Sequence, residues 1–175
     1  MNDKIIYLNG FMAAGKSTIG PILANTLGWD FYDLDKLIEE QMGKKITQIF
    51  EEHGEKFFRR KETEVLTEIS KMSNVVIALG GGTSIYNDNL GLIRRTGKVI
   101  YLKASAESLY RRLKNDKKRP IFNDTKGGDL KAKILQMLEQ RGPYYEKANL
   151  VINTDKTSLG ITVDKIVKLI YRKKK

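Results

Sequence analysis

Cysteine is absent from the 175 residues, and histidine and tryptophan occur once each, as His53 and Trp29. Without cysteine the chain can form no disulfide and no thiolate metal site, and a single histidine cannot build a histidine cluster. Any bound metal is therefore expected to be a hard ion held by oxygen, such as Mg²⁺. Long apolar runs are also lacking: none approaches the ~20 residues that cross a bilayer. Near the N-terminus, Lys4 is followed only by Ile5-Ile6-Tyr7-Leu8, too short for the hydrophobic region of a signal peptide. We expect a soluble, cytoplasmic protein with no membrane partner, and we read that run as a buried strand.

Negative charge is in short supply. The 32 basic residues outnumber the 21 acidic ones, for a net charge of +11, and such a balance concentrates anions around a protein. Part of the excess is the tail Arg172-Lys173-Lys174-Lys175, read as a solvated helix end. A second basic cluster (Arg111, Arg112, Lys114, Lys117, Lys118, Arg119) lies inside the chain. No helix-turn-helix or aromatic ribonucleoprotein signature accompanies the charge. Hydrophobic residues make up 41%, enough for a proper core in one domain of ordinary size.

Strand and helix signals alternate throughout. Strands are expected at Ile5–Leu8, Asp30–Asp33, Val75–Leu79, Lys98–Leu102 and Leu150–Ile152. Helices are expected at Lys16–Leu27, Leu34–Met42, a short one around Thr47–Glu51 ended near Gly54, Glu55–Met72, Asp88–Arg95, Ser105–Leu113 with Ser105 as N-cap, Leu130–Arg141 and Ser158–Tyr171. The polar stretch Asn115–Asp129 reads as a mobile loop. This alternation predicts an α/β fold, a parallel sheet covered on both faces, whose ligands bind beyond the carboxyl ends of the strands.

Gly10-Phe11-Met12-Ala13-Ala14-Gly15-Lys16-Ser17 matches G-x-x-x-x-G-K-[ST] between an expected strand and an expected helix. Such a loop turns backbone N–H groups and a helix N-terminus toward phosphate. Lys16 would reach the β- and γ-phosphates, and Ser17 would offer its hydroxyl to Mg²⁺. Asp33-Leu34-Asp35 ends the second strand; its carboxylates suit a metal and an acceptor hydroxyl, or equally the N-cap of the next helix. Gly80-Gly81-Gly82 ends the third strand and costs chain entropy that a turn does not require, which points to close approach of a ligand. In Phe58-Arg59-Arg60-Lys61-Glu62, the i,i+3 pair Arg59–Glu62 is either a surface ion pair or a glutamate aiming an arginine fork at a carboxylate. Arg119-Pro120 fits a lid arginine or a solvated loop. Arg141, before Gly142-Pro143-Tyr144-Tyr145, fits an anion clamp or a helix-end cation. His53 reads as a helix-end residue and Trp29 as core packing.

In this order and at these intervals, the motifs resemble shikimate kinase over nearly the whole chain: the P-loop Gly10–Thr18, Asp33–Asp35, F-R-x-x-E at Phe58–Glu62, Gly80–Gly82, Arg119-Pro120 and R-x-x-Y-Y-x-x-A at Arg141–Ala148. The resemblance implies a P-loop kinase fold of the nucleoside-monophosphate-kinase type. Its five-stranded parallel sheet would have the order 2-3-1-4-5, with helices on both faces. It implies a single kinase domain over 1–175, with a lid at about 114–129 and a shikimate-binding helical region at about 34–62. The activity implied is transfer of the γ-phosphate of ATP to the 3-hydroxyl of shikimate, with Mg²⁺, in the synthesis of chorismate and the aromatic amino acids.

Carried over by position, Lys16, Asp35 and Arg119 would be catalytic, with Asp35 binding the acceptor hydroxyl. Asp35, Arg59, Gly80, Gly81, Gly82 and Arg141 would bind shikimate, the two arginines clamping its carboxylate. Ala13, Ala14, Gly15, Lys16, Ser17, Thr18, Arg112 and Arg119 would hold ATP. Ser17 would bind the metal directly and Asp33 through water. A monomer with small-molecule partners and no nucleic acid is expected. Ala13 stands where many members have glycine, and Asn153-Thr154-Asp155-Lys156 holds no arginine like those some members place beside adenine. Another small-molecule kinase on the same fold and a nucleic-acid-binding module are the competing readings.

Overall fold

Five short strands with apolar or aromatic centres form one parallel sheet. The computed structural model describes residues 4–114, 127–155 and 157–171. The strands are β1 (Ile5–Asn9), β2 (Asp30–Asp33), β3 (Val75–Ala78), β4 (Lys98–Lys103) and β5 (Leu150–Asn153), in the order β2-β3-β1-β4-β5. All neighbouring pairs are parallel, with Tyr7 opposite Ile77 on one side and Val99 on the other. The expected order 2-3-1-4-5 is thus the order observed.

Alternation along the strands divides the interior into two layers. Ile6 and Leu8 of β1 pack on one face against Ile19 and Leu23 of α1 (Lys16–Leu27), Leu109 of α5 (Ala106–Leu113), Ile134 of α6 (Gly127–Tyr145) and Ile166 of α7 (Leu159–Tyr171). Ile5 and Tyr7 face the other way. They meet Leu34 and Ile38 of α2 (Leu34–Met42), Val65 and Leu66 of α3 (Ile46–Ile69) and Ile93 of α4 (Asn89–Thr96). Phe31 closes the seam between α1 and β2, where a Cβ on Gly20 would lie 2.2 Å from its ring. No helix among the described residues is long and apolar enough to cross a membrane.

Element boundaries agree with expectation within a residue or two except in α3, which also ends at Ile69 and not Met72, and in α6. The two helices expected around Gly54 form one continuous span, α3, bent at Gly54, whose φ of 76° and ψ of 172° are not helical. The helix expected to end at Arg141 runs on to Tyr145 through Pro143. It also begins at Gly127, inside the stretch read as loop. Proline lacks only its own N–H, and the ladder resumes with Glu146 N–H donating to Gly142 O at 2.9 Å. The helix-end reading of Arg141 is therefore wrong: the residue lies a turn inside α6. Ser105 caps α5 as expected, its Oγ accepting from Ser108 N at 3.2 Å. Residues 115–126, with Arg119 and most of the expected lid, and the tail Arg172–Lys175 lie outside the described residues.

Candidate active site

The P-loop joins β1 to α1 as its spacing predicts. Gly10 and Gly15 take φ of 138° and 102°, values that favour glycine, and Ala13 takes φ of 60° without that freedom. A Cβ on Gly10 would also strike Leu102 O at 2.7 Å. Buried Asn9 holds the start of the loop: its Oδ1 accepts from Gly10 N at 2.9 Å, and its amide pairs with Ser84. Lys16 curls over the loop, its Nζ donating to Gly10 O at 2.7 Å and Phe11 O at 2.8 Å. Arg112 reaches in from α5 and donates to Ala13 O at 2.9 Å.

Asp33 divides its two oxygens between the N-terminus of α2 and the P-loop hydroxyl. Its Oδ1 caps α2, accepting from Asp35 N at 3.2 Å and Lys36 N at 3.4 Å. Its Oδ2 accepts from Ser17 Oγ at 2.6 Å. A hydroxyl and a carboxylate oxygen side by side at the end of a phosphate loop are the donor types Mg²⁺ prefers.

The three consecutive glycines explain one another through what a side chain would strike. None has a positive φ, so backbone freedom is not the reason for them. A Cβ on Gly80 would sit 2.8 Å from Asp35 Oδ1 and 3.0 Å from Glu62 Oε1. One on Gly81 would sit 3.3 Å from Met12 N of the P-loop and 3.6 Å from Arg141 Nη1. One on Gly82 would sit 2.9 and 3.0 Å from the terminal nitrogens of Arg59. The strand-three turn thus brings Asp35, Arg59, Arg141 and the P-loop to one bare stretch of backbone.

The Arg59–Glu62 pair is no surface ion pair. Glu62 is fully buried, accepting from Arg59 Nη1 at 2.9 Å and Thr83 Oγ1 at 2.5 Å. Removing one member of such a pair strands a buried charge, which costs about 3–5 kcal/mol. Tyr86 stacks on the guanidinium, 4.1 Å from ring centre to Cζ. Burial acts to lower the Arg59 pKa, but the charge and hydrogen bond of Glu62, with help from Glu55, outweigh it and raise it overall. Arg141 donates to Gly81 O at 3.2 Å, and Tyr145, buried in the core, donates to the same oxygen at 2.5 Å. Burial pushes the Tyr145 hydroxyl up to about 12, so it stays a donor at any physiological pH.

Sequence reasoning did not find Asn9, Ser84, Thr83, Tyr86 or the role of Tyr145. Asn9 and Ser84 lie 75 positions apart, so no local pattern announces them. The i,i+4 spacing of Glu55 and Arg59 was available as a signal. Of the residues singled out beforehand, Asp35, Arg59, Gly80, Gly81, Gly82 and Arg141 meet beside the loop that carries Ala13 to Thr18. His53 is exposed, with Nε2 3.6 Å from Glu52 and its ring against Phe57, just before the Gly54 bend. Trp29 is partly buried against the core.

The sequence profile of the shikimate kinase family matches residues 12–171. A curated shikimate kinase of Chlorobium limicola is 44% identical, over 98% of this chain and 88% of its own length. Among solved structures, the shikimate kinase of Bacteroides thetaiotaomicron superposes with a TM-score of 0.90 at 37% identity, over 95% of this chain and 98% of that one. The Acinetobacter baumannii enzyme, solved in complex with shikimate, gives a TM-score of 0.90 at 36% identity, over 96% and 93%. Sequence, strand order and the convergence at the glycine turn agree that this chain is an ATP-dependent kinase and belongs to the shikimate kinase family.

Proposed function

We propose that the chain transfers the γ-phosphate of ATP to the 3-hydroxyl of shikimate, with the glycine turn after β3 as the floor of the acceptor site. The observation that carries this is the convergence on Gly80-Gly81-Gly82 of one carboxylate, two arginines and the phosphate loop. A small hydroxylated carboxylate needs that set: an anion clamp at one end and a hydroxyl partner facing the phosphates at the other.

In this reading Arg59 and Arg141 bind the shikimate carboxylate. Glu62 and Thr83 hold Arg59 from behind, and Arg141 shares the Gly81 carbonyl with Tyr145. Asp35, aimed at Gly80, binds the acceptor hydroxyl and takes up its proton on Oδ as the 3-oxygen attacks the γ-phosphorus; the bond from that phosphorus to the β–γ bridging oxygen breaks, and the oxygen leaves with ADP. Lys16 leaves the loop carbonyls for the β- and γ-phosphates, exchanging neutral acceptors for charged ones. The N–H groups of Ala13 to Thr18 bind phosphate, Arg112 borders the adenine side, and Arg119 of the lid covers the transferring group. Ser17 and, through water, Asp33 would hold Mg²⁺, which supplies charge neutralisation at the phosphates. Ser17 Oγ would then be the one protein oxygen on the ion in this reading, and Mg²⁺ commonly takes its other ligands from phosphate and water.

The whole of residues 1–175 acting as one monomeric cytoplasmic kinase domain belongs to the same reading, with its basic excess directed at anionic substrates and not at nucleic acid. A coupled assay of ADP release with shikimate, with and without Mg²⁺, tests the activity. Arg59→Ala tests the site: shikimate KM is expected to rise at least tenfold, about 1.4 kcal/mol, with ATP affinity retained as proof of folding. Unchanged shikimate affinity would sink the carboxylate assignment. Arg59→Lys, which keeps the charge and loses the fork, should fall between the two.

A further inference from the structure

Arg59 is held by two glutamates in different ways. Glu62 has no exposed surface and is fixed by Thr83, so it cannot move away. Glu55 is half exposed, and one of its oxygens accepts from both Nε and Nη2 of Arg59 at 3.2 Å. Nε and Nη2 form one edge of the guanidinium, with two parallel N–H bonds that match a carboxylate. Tyr86 on the ring face and the backbone at Gly82 fix the plane of the fork, so this edge keeps its direction whatever occupies it.

The charges do not suit an anionic ligand as they stand. Around Arg59 the two glutamates outnumber the arginine, and with Arg141 and Asp35 counted the carboxylates still outnumber the arginines. Were Glu55 to leave, Arg59 and Arg141 would balance Glu62 and Asp35, and the net repulsion of an anion would be gone. Leaving is easier for Glu55 than for Glu62, because half of its side chain already faces water, which can solvate the freed carboxylate. It stands directly after the bend at Gly54, at the start of the second helical run of α3, where an acidic side chain is favoured without any partner.

We propose that Glu55 is a placeholder carboxylate: it occupies the Nε–Nη2 edge of Arg59 until the carboxylate of the acceptor substrate displaces it. The proposal rests on the reading of Arg59 as a carboxylate clamp. It makes Glu55 a specificity-determining residue, since anions that bind through a single oxygen compete poorly against a side chain already in place. Bidentate carboxylates that also reach Arg141 compete well.

The test is calorimetric titration of the full chain with shikimate and with its uncharged methyl ester. Glu55→Gln removes the competing charge and is expected to tighten shikimate binding about twofold to fivefold, the worth of an exposed pair, and to leave the ester unmoved. Weaker or unchanged shikimate binding would overturn the proposal, because Glu55 would then be a support that stays in place. Equal shifts for acid and ester would overturn it as well. Arg59→Ala isolates the underlying reading: if it keeps the wild-type preference for acid over ester, the clamp assignment fails and the placeholder with it.

Discussion

Single atoms decide much at this site. Gly80 and Gly82 leave no room for a side chain, against Asp35 and Arg59 respectively, while a Cβ on Gly81 would press on Met12 N at 3.3 Å. Gly82→Ala places a methyl group 2.9–3.0 Å from guanidinium nitrogens that Glu62 and Tyr86 keep from moving. Overpacking of this kind costs about 1–3 kcal/mol. We expect it to appear as a shikimate KM raised about fivefold or more, with ATP KM unchanged; steady-state kinetics with each substrate varied in turn checks it. Asp33 shows the opposite economy, one side chain capping a helix with one oxygen and meeting Ser17 with the other. Ala13 lies in left-handed backbone where glycine costs nothing, so the departure noted in the sequence coincides with a local conformational cost in the loop.

The elements matter for where they begin and bend. α3 carries Arg59 and Glu62 on its second run, and Gly54 sets the direction of that run relative to Ile46–His53. A Cβ on Gly54 would meet nothing within 4 Å, so the cost of replacing it is purely conformational. Its φ/ψ pair is one that essentially only glycine adopts, at a cost to other residues of about 1–3 kcal/mol. Gly54→Ala should therefore lower the midpoint of thermal unfolding and weaken shikimate binding, with nucleotide binding spared; calorimetry on both ligands and a melting curve decide it. α6 contributes through its length: because it continues past Pro143, Arg141 and Tyr145 lie one turn apart and share Gly81 O.

For the whole molecule, Tyr101 and Tyr145, two of the three buried tyrosines among the described residues, tie stability to alkaline pH. Their rings stack at 5.2 Å, and burial raises both hydroxyls from 10.0 to about 12. Raised pKa values mean that the fold favours the protonated forms. The stabilisation is complete below about pH 10 and is lost as pH climbs to about 12, since the unfolded chain ionises first. Tyr145→Phe removes one of these groups. The variant should lose about 1 kcal/mol at neutral pH with its hydrogen bond to Gly81 O, and its stability should fall less steeply between pH 10 and 12. Denaturant melts across that range compare the two slopes.

Alternating apolar strands and helices determined the α/β class by themselves, because period-2 and period-3.6 patterns are local. The P-loop and its flanking strand and helix were legible for the same reason: Gly10, Gly15, Lys16 and Ser17 act within eight consecutive residues. The remaining motifs gave the family through their order and spacing, but not how they meet. The bend at Gly54 and the passage of α6 through Pro143 needed the structure, since identical local signals also end helices. So did the choice between a surface pair and a buried clamp at Arg59, because burial depends on Thr83, Tyr86 and Gly82, more than twenty positions away. Local sequence fixes dihedral preferences and periodicity; only packing decides which distant groups share a volume too small for a methyl group.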